Sequence, residues 1–200
     1  MPLSPEQIAG CWRQEYEKAP ATLARMSEIN TLAAAFNANV DSVVKISGAE
    51  LQRRIRQTGM TLAELKNDAD RSIRRPEDVL RGIFRCFTLG IAEEWIAQDK
   101  EIYRWMKKEL GTEKLQMGAQ AGIIANTMSL TGIGRVVTHV GALPELQARQ
   151  FFKRDNLLSF DQNGTLKPAH TVNRPNEEAS IHWIIEFDKD DRLEAEGQTF

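Results

Sequence analysis

Apolar residues near the start of the chain recur at helical spacing, with Ile8, Trp12, Tyr16 and Ala19 close to one face. Ser4-Pro5-Glu6-Gln7 ahead of them reads as a capping box with proline at the first helical position, so a helix is expected to about residue 26. The pattern then changes. Residues 31–36 form a short apolar run rich in alanine, too brief for a lone helix and suited to a strand buried on both faces of a parallel sheet. Helical segments are expected over 48–57, 61–72, 76–89 and 91–109. A further helix is expected over 118–130 after a glycine-bounded turn. An apolar strand follows at 135–140, and a helix with proline in its first turn at 144–152.

Beyond residue 152 the pattern becomes strand-like. Residues 156–160 and 165–170 flank Asp161-Gln162-Asn163-Gly164, which predicts a hairpin on an Asn-Gly turn. Residues 181–187 place Ile181, Trp183, Ile185 and Phe187 on one face, against His182, Ile184 and Glu186 on the other, as a half-buried strand does. The sequence stops at residues 198–200, inside what reads as another strand, and a truncation is the expectation. The order of elements predicts an α/β fold with a smaller β-rich lid. The expected boundaries are 1–41 for the start of the substrate-binding body, 42–60 for a crossover to the lid, 61–152 for the body and 153–200 for the lid segment. No repeat or low-complexity tract interrupts this order.

Composition narrows the function classes. The 200 residues carry a formal net charge of -2, which gives no reason to expect nucleic acid or an anionic membrane as partner. Cys11 and Cys86 stand in helical contexts without CxxC spacing and are expected to be free thiols. No apolar signal core opens the chain, and no stretch approaches a membrane span, so a soluble, cytoplasmic protein is expected.

Three segments carry candidate chemistry. Asn37, Asn39 and Asp41 are spaced by two, so an extended chain projects all three to one side just past a buried strand, where open α/β sheets bind ligands. A carboxylate flanked by amides offers several acceptors and donors to adjacent sugar hydroxyls, although the same residues also build plain turns. Gly118-Ala119-Gln120-Ala121-Gly122 opens a helix whose small residues let a ligand approach and whose first N–H groups can donate to it. It also suits a tight turn packed against a strand, and no Gly-Lys-Ser/Thr follows as a Walker loop requires. His182 and Glu186 lie on the polar face of the 181–187 strand, where a surface histidine and an ion-paired glutamate are ordinary. Glu93 and Glu94 follow Gly90 at the expected join of two helices, where solvated acids are equally ordinary.

Together, in this order, the segments resemble the ADP-dependent glucokinase and phosphofructokinase family in its N-terminal part. The first is similar to that family's Asn-x-Asn-x-Asp stretch, the second to its Gly-Gly-Gln/Asn-Ala-Gly turn, and the third to its His-Tyr-Ile-x-Glu-Phe lid strand. Gly90-Ile91-Ala92-Glu93-Glu94 resembles a Gly-x-x-x-Glu stretch whose glutamate contacts sugar, which selects Glu94. The resemblance implies a partial ribokinase-like three-layer body with a lid. It implies a substrate site of Asn39, Asp41, Glu94, Gly118, Gln120 and His182, with Asp41 holding hydroxyls and orienting the acceptor. It also implies ADP as phosphoryl donor and Mg2+, both at sites outside this chain. Ala119 departs from the family turn's second glycine, and alanine tolerates positive φ poorly.

The superfamily's catalytic Gly-x-Gly-Asp and its metal-positioning Asn-x-x-Glu are not found in the sequence. Gly132-Ile133-Gly134-Arg135 imitates the first only in outline. No catalytic residue is therefore assigned to this chain, which is expected to bind sugar weakly at best and not to turn over. Fructose 6-phosphate and glucose are nearly even as substrates, with a lean towards the former. Lys167, Arg174 and Arg192 are the basic residues expected to be available for a phosphate. The rival from another class is a non-catalytic carbohydrate-binding or regulatory protein.

Overall fold

Ser4 caps the first helix as its sequence requires: its backbone N–H donates to Gln7 Oε1 at 2.8 Å and its hydroxyl accepts from Gln7 N at 3.3 Å. The computed structural model describes residues 3–67, 72–97, 99–110 and 114–200. In chain order the helices are α1 (Pro5–Ala24), α2 (Gly48–Thr58), α3 (Leu62–Leu65), α4 (Pro76–Leu89), α5 (Lys100–Glu109), α6 (Gln120–Met128) and α7 (Glu145–Ala148). The strands are β1 (Thr31–Phe36), β2 (Asn39–Lys45), β3 (Ser72–Ile73), β4 (Ile96–Ala97), β5 (Lys114–Gly118), β6 (Arg135–Val140), β7 (Leu157–Phe160), β8 (Leu166–Pro168), β9 (Ile181–Glu186), β10 (Glu194–Ala195) and β11 (Gln198–Thr199).

The chain divides into two compact units, Met1–Val40 with Gln116–His182 and Asp41–Leu115 with Trp183–Phe200. The first is built on a sheet of order β1-β6-β7-β8. β1 runs parallel to β6 from Thr31↔Arg135 to Phe36↔Val140, β7 continues in parallel, and β8 returns antiparallel through the expected hairpin. One face of this sheet is a core of Ala34, Val136, Val140 and Leu157, closed by Ala125 of α6, Ala148 of α7, Leu143 and Phe151. The other face is open: Ala33, Arg135 and His139 are exposed and Val137, Leu158 and Phe160 half-buried. β1 is thus buried on one side within its unit, not on both. Along α1 no residue is buried, and Ile8, Trp12, Tyr16 and Leu23 are exposed.

The second unit gathers α2 to α5 around Leu51, Leu65, Ile83, Phe84 and Leu193, with Trp183 and Ile185 packed against them. Pro76 opens α4, and Gly90 closes it in the left-handed region at φ 62. Asp99 accepts from Ile102 N at 2.8 Å and starts α5. The helix expected over 91–109 is therefore confined to Lys100–Glu109; Ile96 and Ala97 instead pair with Ser72 and Ile73 as short parallel strands, and position 98 lies outside the described residues. The helix expected over 61–72 shrinks to α3 because Ser72 and Ile73 are drawn into that pairing; 68–71 lie outside the described residues.

A third sheet has the order β5-β2-β9, and the chain crosses from one unit to the other within each of its strands. Contacts thus divide the chain after 40, 115 and 182, whereas the sequence placed boundaries after 41, 60 and 152. The physical reason is shared cores: residues 48–110 surround Leu193, and the 157–168 hairpin extends the parallel sheet.

Candidate functional site

The first motif begins with a reversal. Asn37 N donates to Ala35 O at 3.1 Å across Phe36, whose φ is 76, so β1 ends in a γ-turn of the strained positive-φ kind. Three separate elements then fasten the loop. The Asn37 carbonyl accepts from Ala121 N at 3.0 Å and Gly122 N at 3.4 Å, at the start of α6. The Ala38 carbonyl accepts from Gln147 Nε2 of α7 at 3.1 Å. Val40 N donates to the Ser180 carbonyl at 2.8 Å, beside β9. Segments far apart in the sequence thus meet within the first unit, and four of the six candidate residues, Asn39, Gly118, Gln120 and His182, belong to it.

The second motif forms the junction of β5 and α6. Ala119 takes φ 58 and ψ 159, a region left almost entirely to glycine, at the position where the resembled turn has one. A Cβ on Gly122 would stand 2.3 Å from Met117 Sδ and 3.3 Å from Ala38 Cβ, so glycine is what lets the helix lie against the loop. The expectation that the first N–H groups of this helix are free for a ligand is corrected here: those of Ala121 and Gly122 hold Asn37.

Of the candidate side chains, Asn39 is buried at the start of β2 and Asp41, two residues along the same strand face, is half-buried. Gly118 is buried, while Gln120 and His182 are exposed. Asp41 and Glu94 belong to the second unit. There Glu93 and Glu94 part ways. Glu93, with a side chain only 7% exposed, accepts from Arg85 Nε at 3.0 Å and Trp95 Nε1 at 3.1 Å, whereas Glu94 is exposed.

The basic residues are less available than the sequence implied. Lys167 pairs with Asp161 at 2.8 Å, and Arg174 donates to the Val140 carbonyl at 2.8 Å and pairs with Glu177 at 3.2 Å. Both are tied into local structure, which leaves Arg192, exposed and donating to the neighbouring Asp191 carbonyl at 3.0 Å, as the accessible one of the three. Among the described residues no group of three or more His, Cys, Asp or Glu is placed to hold a metal ion. No helix among them is long and apolar enough to cross a membrane. Gln147 and Phe36 were not singled out by the sequence: a glutamine on a short helix and a phenylalanine ending a strand carry no local signal of their partners.

The chain superposes with a TM-score of 0.70 on the solved last common ancestor of ADP-dependent phosphofructokinases from Methanosarcinales, at 26% identity, covering 95% of this chain and 40% of that one. The fold is that of the N-terminal part of an ADP-dependent kinase. Residues 30–199 match the ADP-specific phosphofructokinase/glucokinase conserved region, and the chain belongs to that family. It is 31% identical over 170 residues to the ADP-specific phosphofructokinase of Methanosarcina acetivorans, covering 83% of this chain and 35% of that protein. It is 30% identical over 179 residues to the ADP-dependent glucose/glucosamine kinase of Pyrococcus abyssi, covering 88% and 38%. The chain therefore spans well under half the length of the relatives it matches.

Proposed function

We propose that this chain supplies the sugar-binding wall of an ADP-dependent kinase that transfers phosphate from ADP to fructose 6-phosphate, glucose or both. Asn39, Asp41, Glu94, Gly118, Gln120 and His182 take the sugar. The observation that carries the reading is the meeting of the first two motif segments at the Asn37 carbonyl, with the third beside them at Val40 and Ser180. Membership of the family, whose named relatives include phosphofructokinases and a glucose/glucosamine kinase, supports the substrate class.

In this reading Asp41 accepts hydrogen bonds from adjacent hydroxyls and aims the acceptor oxygen, with the Asn39 amide beside it on the same strand face. Gln120, His182 and Glu94 offer exposed amide, imidazole and carboxylate groups to the remaining hydroxyls. Phosphoryl transfer depends mainly on positioning and charge stabilisation, so holding the acceptor is a catalytic contribution in itself. ADP and Mg2+ are assigned to sites outside these residues, together with the activating aspartate. The protein is read as cytoplasmic and glycolytic.

The test is phosphorylation of fructose 6-phosphate and glucose with ADP by the longest natural form of the protein, beside sugar binding by the 200-residue chain. The expected result is ADP-dependent turnover by the former, binding without turnover by the latter, and loss of both on Asp41→Ala in a folded protein. Turnover with ATP only, or on neither sugar, overturns the reading. Sugar binding without any turnover would favour a carbohydrate-binding protein instead.

A further inference from the structure

Gln147 is among the most deeply buried polar side chains of the chain, with 1% of its surface exposed. Its Nε2 donates to the Ala38 carbonyl at 3.1 Å, while its Oε1 is buried and meets no hydrogen-bond partner among the described residues. A buried amide satisfied at one end only adds little net stability, since the acceptor it strands offsets the one bond it makes. What the amide provides is direction. The Asn37 carbonyl is held by α6 and the next carbonyl, Ala38, by Gln147, so two successive peptide planes are fixed by two different elements. Fixing both planes fixes the backbone angles at Ala38, and with them the direction in which β2 sets out with Asn39 and Asp41 on one face.

We infer that Gln147 is a positioning residue, which aims the sugar-facing residues of β2 through the Ala38 carbonyl without touching the sugar. The inference rests on the proposed function of that strand. It also explains why the turn at Phe36 persists in a strained conformation: the two clamps impose the path that the chain must follow out of β1.

The experiment compares the protein with Gln147→Met, which keeps length and volume and removes the donor. Binding of fructose 6-phosphate and of glucose is measured by titration calorimetry, thermal unfolding is followed on the same samples, and amide exchange is read at Gly122 and Val40. The expected result is a midpoint close to the parent's, because the unpaired Oε1 is removed as the Ala38 carbonyl loses its donor, with faster exchange at both amides and a loss of sugar affinity of about tenfold, the worth of one ordinary hydrogen bond. Unchanged affinity and exchange overturn the inference. So does a variant that no longer folds, because that outcome makes Gln147 a stability residue. If the unaltered protein binds neither sugar, the proposed function itself fails; if it binds and the variant binds equally, only the role of Gln147 does.

Discussion

The Asn37 carbonyl and the Ala121 N–H lie 3.0 Å apart, and through that bond the turn after β1 is anchored to the first turn of α6. The bond joins the first two candidate motifs, and it uses a helix N-terminus, normally an anion site, to hold backbone. The neighbouring glycine makes it possible, because at 122 any side chain meets Met117 and Ala38.

Gly122→Ala is therefore expected to displace the buried Met117 and lengthen the bonds to Asn37. Overpacking of this kind costs about 1–3 kcal/mol. Urea unfolding measures it, and a midpoint equal to that of the parent would show that the contact is slack.

Ala119→Gly should do the opposite. The strain of φ 58 and ψ 159 in alanine is worth roughly 1–3 kcal/mol. The added freedom of glycine in the unfolded chain returns about 0.4–1 kcal/mol of that. A net stabilisation of about 1 kcal/mol is expected in equilibrium unfolding, and a destabilised variant would contradict the strain.

Asp78 is the buried anchor of the second unit. Its Oδ2 accepts from the N–H groups of Arg74 and Arg75 at 3.0 Å each, and its Oδ1 accepts from Arg81 Nη1 at 2.7 Å. Arg81 in turn donates from Nε to the Glu64 carbonyl at 2.9 Å, tying α4 to α3. Asp78→Ala leaves that guanidinium buried without its carboxylate, at a cost of about 3–5 kcal/mol. A loss below ~1 kcal/mol in denaturant titration would mean that the pair is solvated.

The β7–β8 hairpin should respond to acid. Lys167, then the N–H groups of Thr165 and Asn163, hold the Asp161 carboxyl at about 2, below its usual 3.8. The folded value is the lower one, so the stabilisation is present above about 4 and is lost as pH falls from there towards about 2. Protection of the Asn163 and Thr165 amides from exchange, taken relative to the unfolded chain at the same pH, should fall through that window in the parent. In Asp161→Asn that protection should be low and constant across the window; equal profiles for the two proteins would remove the carboxylate from the turn.

Much of the local structure was legible because its causes are local. The residues that predicted β1, α4 and β6 also bound them: Thr31–Phe36, Pro76–Leu89 and Arg135–Val140 lie where pattern, proline and glycine put them. β5 was missed, since Lys114–Gly118 is a short strand with mixed polarity, and β2 was seen only as a polar motif and not as a strand. Of the site, the residue types were readable, but the division between Glu93 and Glu94 needed the position of Arg85 and Trp95, which no spacing reveals.

The sequence by itself determined where β1, α4 and β6 start and stop, because caps, turns and periodicity act over a few residues. Only the tertiary structure decided that the 157–168 hairpin extends a parallel sheet, that one face of β1 stays open in its unit, and that Asn37 and Ala38 are clamped by α6 and Gln147. Those outcomes depend on which distant backbone groups and apolar faces satisfy one another, and that is settled when the chain closes its cores, not along its length.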